Sequence, residues 1–104
     1  MSENVFVKSG RVMDVVPSAG VNTTSTGNWV YKDAPKAAIQ VVATAAATVV
    51  FDVSNDGVNA CATTLGTVTL AAAGSDGFTT DSPWKYLRAR ITANSGVVNV
   101  YMSV

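Results

Sequence analysis

The sequence contains no histidine, a single cysteine and few charged residues, and each scarcity excludes a class of function. Without histidine, the chain lacks the usual general base and the commonest side-chain ligand of transition metals. Because Cys61 is alone, no internal disulfide can form, and Cys61 is either a small buried or half-buried side chain or a reactive or intermolecular thiol. Charged residues make up 13% of the 104 residues and the formal net charge is zero. We therefore expect no nucleic-acid partner, since phosphate contacts need clustered lysine and arginine.

Long apolar runs are also missing. A membrane helix needs about 20 consecutive apolar residues, and the longest candidate, residues 37–51, is interrupted by Gln40, Thr44 and Thr48. Residues 1–4 have neither the basic start nor the apolar centre of a signal peptide. We expect a soluble protein that is made in the cytoplasm and contacts no membrane. Its low charge gives little protection against association, so it is expected to work bound to its own copies or to a partner.

The sequence does contain many short segments that alternate between apolar and polar residues. Residues 37–43 and 47–54 place apolar side chains at odd positions, and their β-branched residues favour strands over the helix that the alanines around residue 45 suggest. Turns rich in Gly, Asn, Asp and Pro separate the segments, and residues 73–77 are predicted to form one such turn. About eight short strands follow. They predict a single all-β domain over residues 1–104, an antiparallel β-sandwich or a jelly-roll-like barrel.

Residues 84–104 predict a hairpin that closes this domain. With Asn94 and Ser95 as a two-residue loop, Ile91 lies opposite Val98, and alternation sorts the apolar side chains from the polar ones. The polar side carries residue types that are enriched at binding hot spots, namely Trp84, Tyr86, Arg88, Arg90 and Tyr101.

Three interpretations of this side stay open. Arginine stems can pack on the aromatic rings of a solvated surface, the side can bind another protein, or its rings can stack on a sugar. Trp29 and Tyr31, in a short aromatic strand, are further candidates for stacking. Trp84 alone could instead close one end of the core.

No arrangement of residues predicts catalysis. The carboxylates have no recognisable partners, no serine has an activating histidine, and there is no glycine-rich phosphate loop before a helix. Residues 52–57 carry several side-chain oxygens, but they lack the ligand spacing of a calcium loop and are expected to form a turn at a strand end. We expect no enzyme, no metal and no cofactor.

Three pieces of the sequence carry a family resemblance: the turn Ser54-Asn55-Asp56-Gly57 after a strand, residues 77–84, and residues 84–104 with a turn at Gly96. Residues 37–104 resemble the small β-sandwich structural proteins of tailed bacteriophages, in particular capsid decoration or cement proteins. The same pattern is also similar to discoidin-like carbohydrate-binding jelly rolls, which are usually longer.

The resemblance implies a virion protein on the capsid surface, made in the host cytoplasm. It would form a homotrimer or homodimer and bind the major capsid protein, stabilising the shell against the pressure of packaged DNA. Residues 1–10 are a candidate N-terminal arm, in which Val5, Phe6 and Val7 would add a strand to a neighbour; an edge strand of the chain's own sandwich is the alternative. A tail or neck component, and a carbohydrate-binding or adhesin module, are the alternative functions.

Overall fold

The computed structural model describes residues 12–14, 24–32 and 35–103. These residues contain strands and no helix, and therefore no helix that could cross a membrane. The strands are β1 (Val12–Asp14), β2 (Ser25–Thr26), β3 (Val30–Tyr31), β4 (Ala37–Ala43), β5 (Ala47–Ser54), β6 (Gly66–Leu70), β7 (Gly74–Thr80), β8 (Tyr86–Asn94) and β9 (Val98–Ser103).

The strands form two antiparallel sheets. Sheet A has the order β1-β9-β4-β7, and sheet B has the order β2-β8-β5-β6, with β3 also pairing with β8. This arrangement confirms the predicted all-β sandwich. The antiparallel sheets explain the clean alternation in the sequence, because each has one face on the core and the other toward solvent.

The core lies between the sheets and is built mainly from small aliphatic side chains. Val41, Val49, Leu87 and Val100 are fully buried, and each such side chain stabilises the fold by about 1.5–3 kcal/mol relative to exposure. Phe51 is the largest of the buried side chains, and its ring meets that of Phe78 edge-to-face at 5.4 Å. The predicted inward positions of β4, β5, β8 and β9 are therefore the observed core.

The predicted C-terminal hairpin is wrong, although both of its strands exist. Strand β8 lies in sheet B and pairs with β5, whereas β9 lies in sheet A and pairs with β4. Ile91 pairs with Val49 instead of Val98. A turn that crosses from one sheet to the other leaves both strands facing the same core, so it imposes the same alternation as a hairpin. The outward side chains of β8 and β9 consequently lie on opposite faces of the molecule.

Three turns of this crossing kind, at residues 44–46, 71–73 and 95–97, lie at one end of the sandwich. The first and third are bonded side by side: the Thr44 amide donates to the Val97 carbonyl at 3.0 Å, and the Ser95 amide donates to the Ala46 carbonyl at 2.9 Å. The Val97 amide also donates to Thr44 Oγ1 at 2.9 Å. Gly96 permits this approach, since a Cβ there would collide with the same hydroxyl.

Residues 73–77 also differ from the prediction, because most of this expected turn is the first half of β7. Gly74 pairs with Ala43 and Gly77 pairs with Gln40. Glycine has a poor intrinsic preference for strands, and here pairing with β4 overrides it. Gly77 lies so close to β4 that a Cβ would collide with the carbonyl oxygen of Ile39, whereas a Cβ on Gly74 would meet nothing within 4 Å.

This difference between two glycines of one strand gives a matched test of the β4–β7 pairing. Gly77→Ala should lower the free energy of unfolding by about 1–3 kcal/mol, because the β4 backbone must move to admit the methyl group. Gly74→Ala should change it by less than about 1 kcal/mol in either direction. Urea unfolding followed by tryptophan fluorescence measures both. Equal losses at the two positions would contradict the observed register.

Candidate functional site

The candidate site is the outer face of sheet B. In β8, Leu87, Ala89 and Ile91 point into the core, so alternation turns Tyr86, Arg88 and Arg90 outward. Side chains from residues 24–32, which run along β8, join them there. We call this surface the Arg–aromatic face and define it as Trp29, Tyr31, Tyr86, Arg88 and Arg90.

An irregular edge segment brings Trp29 to this face. Thr26 pairs with Arg90 and Tyr31 pairs with Tyr86, but the chain leaves the regular ladder between β2 and β3. The Gly27 amide still donates to the Ala89 carbonyl at 2.8 Å. The departure places the Trp29 ring against the Arg88 guanidinium, whose carbon lies 4.4 Å from the ring centre. This is the geometry of a cation–π contact.

A buried carboxylate lies under the two arginines. Asp52 is on the outer side of β5, directly opposite Arg88, and is only 2% exposed. Its Oδ2 accepts from Arg88 Nε at 3.1 Å, from Arg88 Nη2 at 2.8 Å and from Arg90 Nε at 3.1 Å. Its Oδ1 accepts from Arg90 Nη2 at 3.1 Å. Arg90 thus bridges both carboxylate oxygens, whereas Arg88 donates both of its N–H groups to one oxygen. These charge-assisted hydrogen bonds fix both guanidinium groups.

The contacts between Asp52 and the two arginines favour the ionised form of the Asp52 carboxylate. Burial by itself raises the pKa of Asp52, but hydrogen bonds and the positive charges of Arg90 and Arg88 outweigh burial and hold the pKa below its ordinary value. The hydrogen bond to Asp52 raises the pKa of Arg90 in turn. The face therefore carries two positive charges and one buried negative charge at neutral pH.

The two tyrosines form the other half of the face. The rings of Tyr31 and Tyr86 meet edge-to-face at 5.5 Å. Gly57, with a φ of 69°, lies against the Tyr86 ring, and a Cβ there would come within 3.2 Å of it. Tyr31 is 48% exposed and is the main solvent-accessible ring of the pair.

The turn that holds Gly57 is the one predicted at residues 54–57. Ser54 Oγ accepts from the Asp56 and Gly57 amides at 3.1 Å, and it donates to Asp56 Oδ1 at 2.7 Å. Asp56 Oδ1 also accepts from the Val58 and Asn59 amides at 2.8 Å. These hydrogen bonds, chiefly the one from the Asn59 backbone amide, lower the pKa of Asp56. Within the described residues, no three potential metal-ligating side chains come together.

The remaining predicted site residues are not part of this face, although Trp84 lines a cleft together with Tyr31. Trp84 packs against the edge of the core near Leu65 and the half-buried Cys61. This position agrees with the alternative in which Trp84 closes one end of the core. Tyr101 lies on sheet A, opposite Gln40, so it is on the far side of the molecule from the arginines. The candidate arm residues Val5, Phe6 and Val7 lie outside the described residues.

Sequence reasoning missed Asp52 as a member of the site. Alternation places this residue on the outer side of β5, but the prediction paired β8 with β9 and so gave the arginines no acidic neighbour. One signal in the sequence could have identified it. Asp52 is the only charged residue in β5, and a charged side chain within a strand that borders the core needs a partner of opposite charge.

Comparison with known proteins identifies a structure with a similar fold but assigns the chain to no family. No protein-family model and no curated protein matches the chain. Among solved structures, the SPBc2 prophage-derived protein YomS is similar, with a TM-score of 0.65 and 10% identity over 95% of this chain and 96% of that one. A chain from the disulfide-linked pili of Bacillus endospore appendages matches with a TM-score of 0.43 and 16% identity over 95% and 92%. The chain thus shares the fold of a prophage-derived protein.

The buried carboxylate predicts how stability depends on pH. Asp52→Asn should lower the free energy of unfolding at pH 7 by about 1–3 kcal/mol, because the amide loses the charge-assisted hydrogen bonds. The folded state depresses the pKa of Asp52 below its unfolded value of 3.8. Its contribution is therefore present above that pH and is lost as the pH falls through the folded-state pKa.

Urea unfolding between pH 2.5 and 7 measures this contribution. The difference in stability between the natural protein and the Asp52→Asn variant should shrink as the solution is acidified. The control is Asp81→Asn, which neutralises an exposed carboxylate and should stay within about 0.5 kcal/mol of the natural protein. A difference that is constant with pH would contradict the ion-paired role of Asp52.

Proposed function

We propose that this protein is a non-enzymatic structural protein of a phage particle, which binds other particle proteins through the Arg–aromatic face. The place that fits best is the outside of the capsid, where the protein would decorate and cement the shell by binding the major capsid protein and copies of itself. The observation that carries the proposal is the cluster of two arginines on a buried carboxylate, with the half-buried Trp29 against Arg88 and the exposed Tyr31 on the same face.

The composition of this face supports a protein partner. Tryptophan, tyrosine and arginine are the residue types that dominate binding energy at protein interfaces. The side chain of Arg90 is 38% exposed, and Tyr31, which pairs with Tyr86 further along β8, is 48% exposed on the same sheet. Because Asp52 and Trp29 already fix the arginines, binding would cost little side-chain entropy.

The shared fold supports the phage context. A sandwich of the same architecture occurs in a prophage-derived protein over nearly the whole length of both chains. The step from that likeness to a virion protein is part of the proposal, as is the capsid rather than the tail or neck as the location.

The absence of a recognisable catalytic arrangement among the described residues is consistent with a binding role. Asp52 is engaged by two arginines and Asp56 by its own turn, so neither carboxylate is free to act on a substrate.

The geometry supports a sugar-binding site less well. A stacking platform needs an open ring face, but Arg88 covers one face of Trp29, and Tyr86 lies against Gly57 and the edge of Tyr31. Among the rings of this face, Tyr31 has the most accessible surface.

The direct test is the location of the protein in particles from the bacterium that carries its gene. We expect mass spectrometry to detect multiple copies in purified particles, and antibody-gold labelling to mark the heads. Absence from particles would overturn the proposal, and labelling confined to tails would overturn the capsid location.

A matched pair of variants tests the face. Tyr31→Ala should reduce the occupancy of the protein on particles by about tenfold, the effect of losing one strong interface residue. Val97→Ala removes another exposed apolar side chain, in a turn at the end of the sandwich, and should leave occupancy unchanged. Equal occupancy for both variants would exclude the Arg–aromatic face as the contact.

A further inference from the structure

The cluster of Asp52, Arg88 and Arg90 still has N–H donors that could bind a further acidic group. Each arginine bonds Asp52 through its Nε and Nη2 groups. A guanidinium carries five N–H donors and offers two edges for two-point contacts. The second edge, formed by Nη1 and Nη2, holds no carboxylate in a two-point contact among the described residues, where both arginines reach Asp52 through Nε and Nη2.

The charges of the cluster also favour an acidic ligand. Asp52 compensates one of the two positive charges, and the only ion pairs of Arg88 and Arg90 within the described residues are those with Asp52. The face keeps an excess of one positive charge in a chain whose net charge is zero. A single further carboxylate would neutralise the cluster and use a free guanidinium edge.

Arg90 is the more accessible member of the pair. Its side chain is 38% exposed, against 21% for Arg88. Arg90 also lines a shallow groove at the edge of sheet B, together with the hydroxyl-bearing residues Thr24, Ser25, Thr26 and Thr92. An acidic side chain that reaches Arg90 through this groove finds neutral hydrogen-bonding groups around it. Among the described residues, the one acidic residue in contact with Arg90 is the buried Asp52, whose charge is already shared between the two arginines.

We infer that Arg90, held by Asp52 and supported by Arg88, is a receptor for an aspartate or glutamate side chain of the partner protein. This inference rests on the proposed function for the identity of the partner, but the subsite itself is a property of the isolated chain. A nucleic-acid partner would need a broad basic surface, whereas here two arginines share one buried carboxylate. The excess charge matches one acidic side chain.

The subsite can be tested without a particle. N-acetylglutamate amide, a blocked glutamate, is titrated to 100 mM into the labelled protein at constant ionic strength, and the Nε–H signals of the arginines are followed by NMR. The matched control is N-acetylglutamine amide, which has the same shape without the charge. We expect saturable shifts at Arg90 with the glutamate probe only. No shift, or equal shifts with both probes, would overturn the inference.

Two variants separate recognition from charge. Arg90→Lys keeps a cation beside Asp52 but cannot offer a second two-point edge, and it should weaken glutamate binding by about tenfold. Lys36→Gln lowers the net charge by removing an exposed cation and should leave binding unchanged. Equal weakening by both variants would mean that the probe senses only overall charge. Inorganic phosphate serves as a further arm, and tighter binding of phosphate than of the glutamate probe would overturn the carboxylate assignment.

A rebinding experiment connects the subsite to the particle. Particles stripped of this protein are treated with a carbodiimide and glycinamide, which convert exposed carboxylates to neutral amides. We expect the natural protein to rebind to mock-treated particles and to lose binding after amidation. Glutamate binding at Arg90 without any rebinding to untreated particles would contradict the proposed function and leave the subsite standing. Rebinding that survives amidation would contradict the subsite and leave the proposed function standing.

Discussion

The apolar faces of the two sheets bury each other because three short turns carry the chain from one sheet to the other. Each turn places a strand of sheet A over a strand of sheet B: β4 over β5, β7 over β6, and β9 over β8. Hydrogen bonds between the turns at residues 44–46 and 95–97 fix the spacing of two of these units. The core then fills mainly with valine and alanine, together with Ile39 and Ile91, and packs closely between the sheets.

The same connectivity creates the Arg–aromatic face. Because β8 pairs with β5 instead of β9, Arg88 and Arg90 meet Asp52 on the outer side of sheet B. A carboxylate at this position would be costly to bury alone, and the two guanidinium groups offset that cost. Trp29, in the edge segment beside β8, then covers the Arg88 guanidinium. The result is a pre-organised surface on a stiff scaffold, with the tyrosine pair on one flank and a hydroxyl-lined groove on the other.

The proposed binding role draws on the rigidity of this arrangement. Its charged groups are held to one another by short contacts, and a fixed geometry lowers the entropy cost of binding. Because the chain has no net charge, long-range attraction would contribute little to the proposed binding, which would depend on local matching of charge and shape. Fold likeness to a prophage-derived protein and the chemistry of this face are separate lines of support for the proposed function.

The sequence by itself determined the all-β class, the turn at residues 54–57 and the inward side chains of β4, β5, β8 and β9, because a period of two depends only on which side of a strand meets the core. It also indicated Arg88 and Arg90 as outward residues. Only the tertiary structure decided which strands are neighbours: it made residues 74–77 a strand, separated Tyr101 from the arginines, and brought in Asp52 from 36 residues away in the chain. The physical reason is that pairing partners are chosen by long-range packing, and a hairpin and a sheet-crossing turn produce the same local alternation.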